Sequence, residues 1–164
     1  MKRWAVISPC GKYRYILGRE EDGELFPAAN QTVVFVLNNP SVADAEIDDN
    51  TVKKCWRYAQ RWEYRRMVFV NTNPWRSTDP KFAREPSDEA AAENDTYLQG
   101  AVADANLVVC AWGSKARQHL VHRAIKVIAA LDVNLCYLEL AKDGSPKHPL
   151  YLPGYLEPKP WLSK

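Results

Sequence analysis

The sequence predicts a three-layer α/β/α domain, in which helices cover both faces of a mostly parallel, four-stranded central sheet. Short apolar runs rich in Val and Phe alternate along the chain with stretches of helical periodicity. Such runs are typical of strands buried on both faces of a parallel sheet, and alternation with helices supplies the crossover connections that parallel strands need. The 164 residues match the usual size of one domain, so we expect a single domain over residues 1–164.

The first segment, about residues 1–20, predicts a hairpin outside the central sheet. Trp4–Ser8 and Tyr13–Leu17 are short candidate strands joined by a turn at Pro9–Gly11. Apolar and polar side chains alternate in the second of them, which favours an edge strand over a buried one.

Four further strands and three helices follow in alternation. The strands are predicted at Thr32–Leu37, Met67–Val70, Leu107–Ala111 and Asn134–Leu138. The first helix begins at about Asn50, and Ser87 is a candidate N-cap for the second. The third helix carries an apolar face from Ala116 to Leu131, and the chain from about residue 142 to 164 reads as loop and tail.

Composition limits the class of protein and its compartment. The formal net charge is +2, from 22 Lys and Arg against 20 Asp and Glu, which excludes a polycation that coats nucleic acid indiscriminately. No apolar run reaches the roughly 18 residues that suggest a membrane span, so we expect a cytoplasmic protein with no membrane partner. Cys10, Cys55, Cys110 and Cys136 form no CxxC pair, and we expect free thiols rather than a metal site.

Polar residues follow the predicted strands at four places. In open parallel sheets, ligands bind beyond the carboxyl ends of the strands. The four places are Asn39–Ser41, Asn71–Asn73, Trp112–Ser114 and Ser145–Pro149. Their amide, hydroxyl and imidazole groups suit the recognition of a flat polar heterocycle and the activation of one water molecule. The sequence contains no glycine-rich phosphate-binding motif, and we expect no cofactor.

These segments, in this order, resemble the signature segments of the uracil-DNA glycosylase superfamily over roughly residues 33–153. They are FVLNNPS (Phe35–Ser41), MVFVNTNPWRST (Met67–Thr78), VVCAWGSKA (Val108–Ala116) and SPKHPLYLP (Ser145–Pro153). The Asn-Pro pair is similar to that of the mismatch-specific thymine/uracil branch. A closer resemblance, carried by NPSVADAEIDDNT, NTNPWRSTDP, AWG and GSPKHPLYL, is to a family of small bacterial and phage proteins of unknown function.

The superfamily resemblance implies roles for three residues. Asn39 would orient the attacking water, Asn71 would read the edge of the flipped pyrimidine, and His148 would stabilise the leaving base anion. The strictly uracil-specific branch has Asp and a bulky Tyr where this chain has Asn39 and Ser41. A neutral amide is a weaker base than a carboxylate, so we expect slow turnover or a more labile leaving base. The small Ser41 leaves room for a substituent at the 5-position of the base.

Further residues of these segments are candidates for contacts with the base and with DNA. Trp75 and Trp112 are candidate stacking rings, and Trp56 is a third that also reads as helix core. The candidate contacts with the DNA backbone are Arg76, Ser114, Lys115 and Lys147. The candidate wedge into the duplex consists of Leu150, Tyr151 and Leu152.

Three other clusters have competing interpretations. Asp44, Asp48 and Asp49 read better as a helix N-terminus than as a metal site or base, with Asp49 kept as a secondary site candidate. His119 and His122 lie three residues apart on a predicted helix, where a solvated face is favoured over a metal site. Two basic stripes are interpreted as solvated faces or as phosphate contacts: Lys53, Arg57, Arg61, Arg65 and Arg66, and Arg117, Arg123 and Lys126.

Together these features predict a monomeric, metal-free DNA glycosylase that hydrolyses the N-glycosidic bond of a flipped uracil or 5-modified pyrimidine. DNA, single- or double-stranded, is the expected partner. Two alternatives stay open at this point. One is an enzyme that transfers a group to a base during DNA hypermodification, and the other is a noncatalytic reader of modified or single-stranded nucleic acid.

Overall fold

The computed structural model describes residues 1–23 and 32–161, which form a seven-stranded sheet with three helices. The strands are β1 (Lys2–Ile7), β2 (Arg14–Glu20), β3 (Thr32–Leu37), β4 (Arg66–Asn71), β5 (Leu107–Cys110), β6 (Leu135–Tyr137) and β7 (Lys159–Pro160). The helices are α1 (Asn50–Arg61), α2 (Asp88–Ala103) and α3 (Gln118–Ala129). Short 3₁₀ turns lie at Pro80–Phe82 and Pro149–Tyr151. No helix of this part of the chain is long and apolar enough to cross a membrane.

The strands lie in the order β1-β2-β4-β3-β5-β6-β7. The inner strands β4, β3, β5 and β6 are mutually parallel, whereas β1, β2 and β7 add antiparallel pairs at the two edges. In the register of the centre, Val34 lies opposite Val68 on one side and Val108 on the other. The chain places β4 on one side of β3 and β5 on the other, and such a reversal opens a crevice at the carboxyl ends of the strands.

Alternate residues of the inner strands enter two separate cores. Val34, Val68 and Val108 belong to the core that contains α2 and α3, whereas Val33 and Phe35 belong to the core that contains α1. Successive strand side chains point to opposite faces, so a strand that is buried on both faces is apolar at every position. The fold is therefore α/β, with helices on both faces of a sheet that contains parallel and antiparallel strands.

The first two helices begin at capping side chains. Asp49 accepts the N–H of Val52 at 2.9 Å, and Ser87 accepts the N–H of Ala90 at 3.2 Å. These bonds satisfy amides that have no partner inside the helix. The predicted start of α1 at Asn50 and the predicted cap at Ser87 are confirmed.

The predicted N-terminal hairpin is present at the edge of the sheet as β1 and β2, but the expectation that its second strand is not buried is wrong. β2 lies inside the sheet between β1 and β4, and all of its residues except Glu20 are buried. The alternation that favoured an edge strand came from Arg14, which is only 3% exposed, and the second arginine of β2, Arg19, is only 1% exposed. Charge did not mean exposure here, because the protein holds both guanidinium groups in its interior.

The C-terminal region also extends the sheet, although it was predicted as loop and tail. β7 pairs with β6, and Trp161 packs edge-on against Trp112 with 5.2 Å between the ring centroids. Residues 162–164 of the predicted tail lie outside the described residues. The end of the described chain is thereby fixed beside the turn that follows β5.

Candidate functional site

A pocket of about 540 Å³ opens at the carboxyl edge of the parallel strands. It is lined by the turn after β3, the loop after β4, the turn after β5, the first turn of α1 and the turn that contains His148. Leu37 and Phe69, from the core that contains α1, contribute apolar surface. Open α/β sheets bind ligands at this position, and the volume lies within the roughly 300–1,000 Å³ of small-molecule sites.

Most of the predicted site residues line this pocket. They are Asn39, Ser41, Asp49, Trp112, Ser114, Lys115, Lys147, His148, Leu150 and Tyr151. The other five candidates, Asn71, Trp56, Trp75, Arg76 and Leu152, do not line it. The structure therefore brings together predicted strand-end segments that are more than one hundred residues apart in the chain, from Asn39 to Tyr151.

The turn after β3 is fixed by the loop after β4. The Asn39 amide nitrogen donates to the carbonyls of Pro40 at 3.2 Å and Ser77 at 3.0 Å. The N–H of Ser77 donates back to the carbonyl of Pro40 at 2.8 Å. Both bonds of the Asn39 side chain use its nitrogen, so its amide oxygen is the atom left to orient a water molecule or a ligand.

The turn that contains His148 is joined to the turn after β5. The Gly113 N–H donates to the Pro146 carbonyl, and the Lys147 N–H donates to the Glu139 carbonyl, both at 2.8 Å. His148 Nδ1 accepts the N–H of Leu150 at 3.3 Å. In a neutral imidazole one nitrogen accepts while the other carries the proton, so this bond assigns the proton of the neutral ring to Nε2.

Electrostatics favour the neutral form of His148. Burial lowers the pKa of His148 below its ordinary value of 6.5, and the negative charge of Asp49 opposes that shift. The ring is therefore uncharged at neutral pH, and its Nε2–H can act as a hydrogen-bond donor.

Arg14 is a pocket residue that the sequence argument missed. Its side chain is 3% exposed, lines the pocket and donates through Nη1 to the carbonyl of Ala43 at 2.5 Å. Burial lowers the pKa of Arg14 to about 10, with the charge of Asp49 acting in the opposite direction. The guanidinium therefore remains positive at neutral pH. The available signal was a charged residue within a predicted strand. We interpreted this charge as a sign of an exposed position at the edge of the sheet.

Asn71, which was predicted to read the edge of the base, is fully buried and does not line the pocket. It is the last residue of β4, opposite Leu37. Its backbone oxygen accepts from Asn94 Nδ2 at 2.9 Å, and neither polar atom of its amide has a hydrogen-bond partner within the described part of the chain. The Phe69 ring, two residues earlier on the strand, borders the pocket in its place.

Trp75 and Arg76 lie in a neighbouring wall rather than in the pocket. The Trp75 ring packs edge-on against Tyr13, with 5.5 Å between centroids, and lies under the guanidinium of Arg84 at 5.7 Å. Arg76 Nη1 donates to the carbonyl of Gly11 at 3.3 Å. These contacts join the loop after β4 to the turn between β1 and β2, which explains why neither residue lines the pocket.

The mouth of the pocket combines a buried and an exposed aromatic ring. Trp112 is 3% exposed, so its ring is a fixed part of the wall. Tyr151 is 83% exposed, and Lys115 is exposed on the turn after β5. Leu152, the third predicted wedge residue, is 5% exposed in the α1 core and does not line the pocket. Leu150 and Tyr151 remain as wedge candidates.

The other acidic candidates have structural contacts. The Asp44 carboxylate accepts the N–H groups of Ile47 and Glu46, and these bonds lower its pKa. Asp48 forms a salt bridge with the buried Arg19 at 2.6 Å. Asp49 thus differs from its neighbours, because it caps α1 and also lines the pocket.

Most arginines of the two basic stripes are paired with carboxylates, as expected for solvated faces. The pairs are Arg61–Glu157, Arg65–Glu21, Arg66–Glu20, Arg117–Glu85 and Arg123–Asp95. His119 also contacts Glu85 at 3.0 Å. All four cysteines are free, with Cys10 exposed and the other three buried.

The fold and the pocket define an α/β protein with a candidate ligand site at the carboxyl ends of its parallel strands. The chain belongs to the DUF1643 family, a family of proteins of unknown function, which matches residues 14–150. The matched span runs from Arg14 to Leu150, both of which line the pocket. No curated protein and no solved structure gives a significant match. The expected resemblance to a family of unknown function is confirmed, whereas the comparisons give no support to the more distant one.

Proposed function

We propose that this protein hydrolyses the N-glycosidic bond of a uracil or 5-modified pyrimidine nucleotide flipped out of DNA. The observation that carries the proposal is the hydrogen bond from the Leu150 N–H to His148 Nδ1, which makes Nε2 the donor of a neutral ring. Asn39 and Asp49 contribute acceptor atoms to the same pocket. A neutral donor combined with an amide and a carboxylate suits the cleavage of a bond whose leaving group departs as an anion.

In the proposed reaction the bond between the sugar C1′ and the base nitrogen breaks, and its electron pair moves onto the base. His148 Nε2–H donates a hydrogen bond to the base oxygen that gains negative charge. An aligned donor of this type contributes roughly 3–4 kcal/mol to transition-state stabilisation. A neutral ring avoids full proton transfer, and the departing base takes its proton from solvent afterwards.

The attacking water is assigned to Asn39 and Asp49. The Asp49 carboxylate accepts the Val52 N–H through Oδ1 at 2.9 Å, which fixes its orientation at the pocket. In the proposal the Asn39 amide oxygen orients the water, Asp49 takes its proton, and the new bond forms at C1′. This arrangement compensates for the weakness of an amide as a base.

Features of the pocket mouth support a nucleic-acid substrate. Ser41 is a small pocket residue, which leaves space for a 5-substituent on the base. The exposed Tyr151 ring and the exposed Lys115 ammonium suit contacts with a neighbouring base and a phosphate. We assign Leu150 and Tyr151 to the space that a flipped nucleotide vacates.

A base-release assay tests the proposal. The protein is incubated with oligonucleotides that carry uracil, a thymine mismatch or a 5-modified pyrimidine, in single- and double-stranded form, and the free base is measured by mass spectrometry. We expect release from at least one substrate and a loss of about 10²–10³-fold in the rate with His148→Ala. His122→Ala is the matched control, because His122 is exposed on α3. No release from any substrate contradicts the proposal.

The same experiment distinguishes the alternatives. A mass increase of the nucleoside with the base still attached indicates group transfer. Salt-dependent binding without turnover indicates a noncatalytic reader, which the exposed Tyr151 and Lys115 at the mouth would also suit. Release that persists unchanged in an Asn39→Ala, His148→Ala double variant would place the chemistry elsewhere in the protein.

A further inference from the structure

We infer that Arg14 and the first turn of α1 form an anion subsite at the pocket, which binds a phosphate group of the ligand. Arg14 and the first helical residues Asn50, Thr51 and Val52 line the same cavity. The subsite is distinct from the Asn39 and His148 groups of the proposed reaction. It rests on the proposed function only for the identity of the nucleotide that carries the phosphate.

Arg14 differs from Arg19 in its ion pairs, because no carboxylate among the described residues forms a salt bridge with Arg14. Both guanidinium groups are almost completely buried and belong to β2. Arg19 donates to Asp48 through Nε at 2.8 Å and Nη2 at 2.6 Å, and to the carbonyls of Gly18 and Asp44. Its charge and most of its donors are therefore satisfied by the protein.

Arg14 forms far fewer contacts. Among the described residues its guanidinium forms one hydrogen bond, to the uncharged Ala43 carbonyl, and Nε has no partner. No carboxylate of this part of the chain forms a salt bridge with it. A buried cation without a counterion is costly, and a ligand anion in the adjoining pocket would lower that cost.

The first turn of α1 supplies further donors. The first backbone bond of the helix runs from the Lys53 N–H to the Asp49 carbonyl, and the Val52 N–H donates to the Asp49 side chain. The amides of Asn50 and Thr51 precede these bonds, so they have no acceptor inside the helix. A helix N-terminus favours anions through these amides and through its dipole.

Four charged groups act on Arg14. The carboxylates of Asp49 and Asp44 favour its charge, and the guanidiniums of Arg76 and Arg19 oppose it. Asp49 has the largest effect among them. It is also the group that would repel a bound anion, so it limits the affinity of the subsite for phosphate.

Titration of the full-length protein tests the inference without any catalytic step. The probes are inorganic phosphate, deoxyuridine 5′-monophosphate, a uracil-containing dinucleotide with a phosphodiester, and deoxyuridine, all at constant ionic strength. We expect each phosphate-bearing nucleotide to bind at least tenfold more tightly than deoxyuridine. The two nucleotides distinguish a phosphomonoester from a phosphodiester as the preferred anion.

Two variants assign the binding to the subsite. Arg14→Met is expected to weaken phosphate and nucleotide binding at least tenfold and to leave deoxyuridine binding unchanged. Asp49→Asn keeps a capping side chain and removes the opposing charge, so phosphate binding should become tighter by a few-fold. Arg57→Met, at an exposed position of α1, is the control that should change neither.

Amide chemical shifts of the wild-type protein during phosphate titration provide a measurement that does not depend on whether Arg14→Met folds. We expect the largest shifts at Asn50 and Thr51. Shifts confined to Lys115 or Lys53, equal affinity for deoxyuridine and its monophosphate, or unchanged phosphate binding in folded Arg14→Met would each overturn the inference. If the protein releases base but binds deoxyuridine and its monophosphate equally well, only the anion subsite is contradicted. If it binds phosphate but releases no base, only the proposed reaction is contradicted.

Discussion

The two faces of the sheet are built from the same strands but are covered differently. On one face α2 and α3 pack against the inner strands with apolar side chains such as Leu98, Val121 and Ile128. On the other face lies α1, a helix of 12 residues and therefore roughly 18 Å in length, and the C-terminal residues Leu138 and Leu152 pack in the same core. The pocket occupies the carboxyl edge of the sheet at the start of α1.

The two faces also differ in the surroundings of their charged side chains. Two arginines of the α2–α3 face form ion pairs, Arg117 with Glu85 and Arg123 with Asp95. At the α1 face, Arg14, Asp49 and His148 converge on an open cavity. We therefore expect substitutions on the α2–α3 face to change stability alone, and substitutions at the pocket to change ligand chemistry with smaller effects on stability.

The largest effect on stability is expected from Ile128→Ala on α3. Ile128 is fully buried in the core beneath α2 and α3, and truncation of such a side chain costs about 2–5 kcal/mol in the free energy of unfolding. Urea denaturation measures this loss. Ligand affinity and base release per folded molecule should stay at the wild-type level, and a change in either would show that the two faces are coupled.

A pH dependence is expected from His148 at the pocket. The folded protein holds the ring neutral because burial lowers its pKa, whereas the unfolded chain takes up a proton at the ordinary value. The unfolded state therefore binds more protons in the interval between the two pKa values, so the free energy of unfolding falls as the pH is lowered through 6.5 towards the folded value. Above 6.5 this contribution to stability is complete.

Base release should follow the same group. Since the neutral ring is the proposed active form, the acid limb of kcat/KM should lie below pH 6.5. The stability difference between the wild type and His148→Gln, measured across the same pH range, isolates this histidine from His119 and His122. An acid limb above pH 6.5, or one whose position is unchanged in His148→Gln, contradicts the assignment.

The inner strands and the location of the pocket were predictable because they depend on local patterns. The run Thr32–Leu37, apolar from Val33 onward, has the same bounds as the predicted strand, since burial on both faces leaves little room for polar side chains. The polar turns that follow such strands meet at one edge of a parallel sheet. Asn39 and His148 were therefore placed at one pocket from sequence alone.

The errors arose where the outcome depends on contacts between distant residues. Arg14 reads as an exposed strand residue until the Ala43 carbonyl, 29 positions later, is placed beside it. Asn71 was assigned to the correct strand end, but its amide is buried behind the surface that Phe69 presents to the pocket. A strand end thus predicts the neighbourhood of a residue but not the surroundings of its side chain.

The N-caps of α1 and α2 allow a second comparison of the pocket with the α2–α3 face, in which the expected changes in stability are smaller. Ser87→Ala removes the bond to the Ala90 N–H and should cost about 1 kcal/mol in the free energy of unfolding, with base release unchanged. Asp49→Asn retains a good cap, so it should lose only the contributions of the charge, which are the charge–dipole interaction and the attraction to Arg14. Its base release should nevertheless fall, since the proposed proton acceptor is removed. Equal losses of stability and unchanged activity in both variants would contradict the distinction between the caps.

Two glycines, one on α2 and one at the pocket, are expected to change stability in opposite directions when replaced by alanine. Gly100, in α2, has no atom within 4 Å of the position of an added Cβ, so Gly100→Ala should raise the free energy of unfolding by about 0.5–1 kcal/mol through reduced freedom of the unfolded chain. Gly113, in the turn after β5 at the pocket, has a φ of +75°. An added Cβ there would lie 3.7 Å from the His148 Cβ, an ordinary contact, so the cost of Gly113→Ala is one of backbone conformation, roughly 1–2 kcal/mol. Thermal unfolding should therefore show a higher melting temperature for Gly100→Ala and a lower one for Gly113→Ala than for the wild type. If Gly113→Ala also reduces ligand binding while Gly100→Ala does not, the strained turn is required for the geometry of the pocket as well as for the fold.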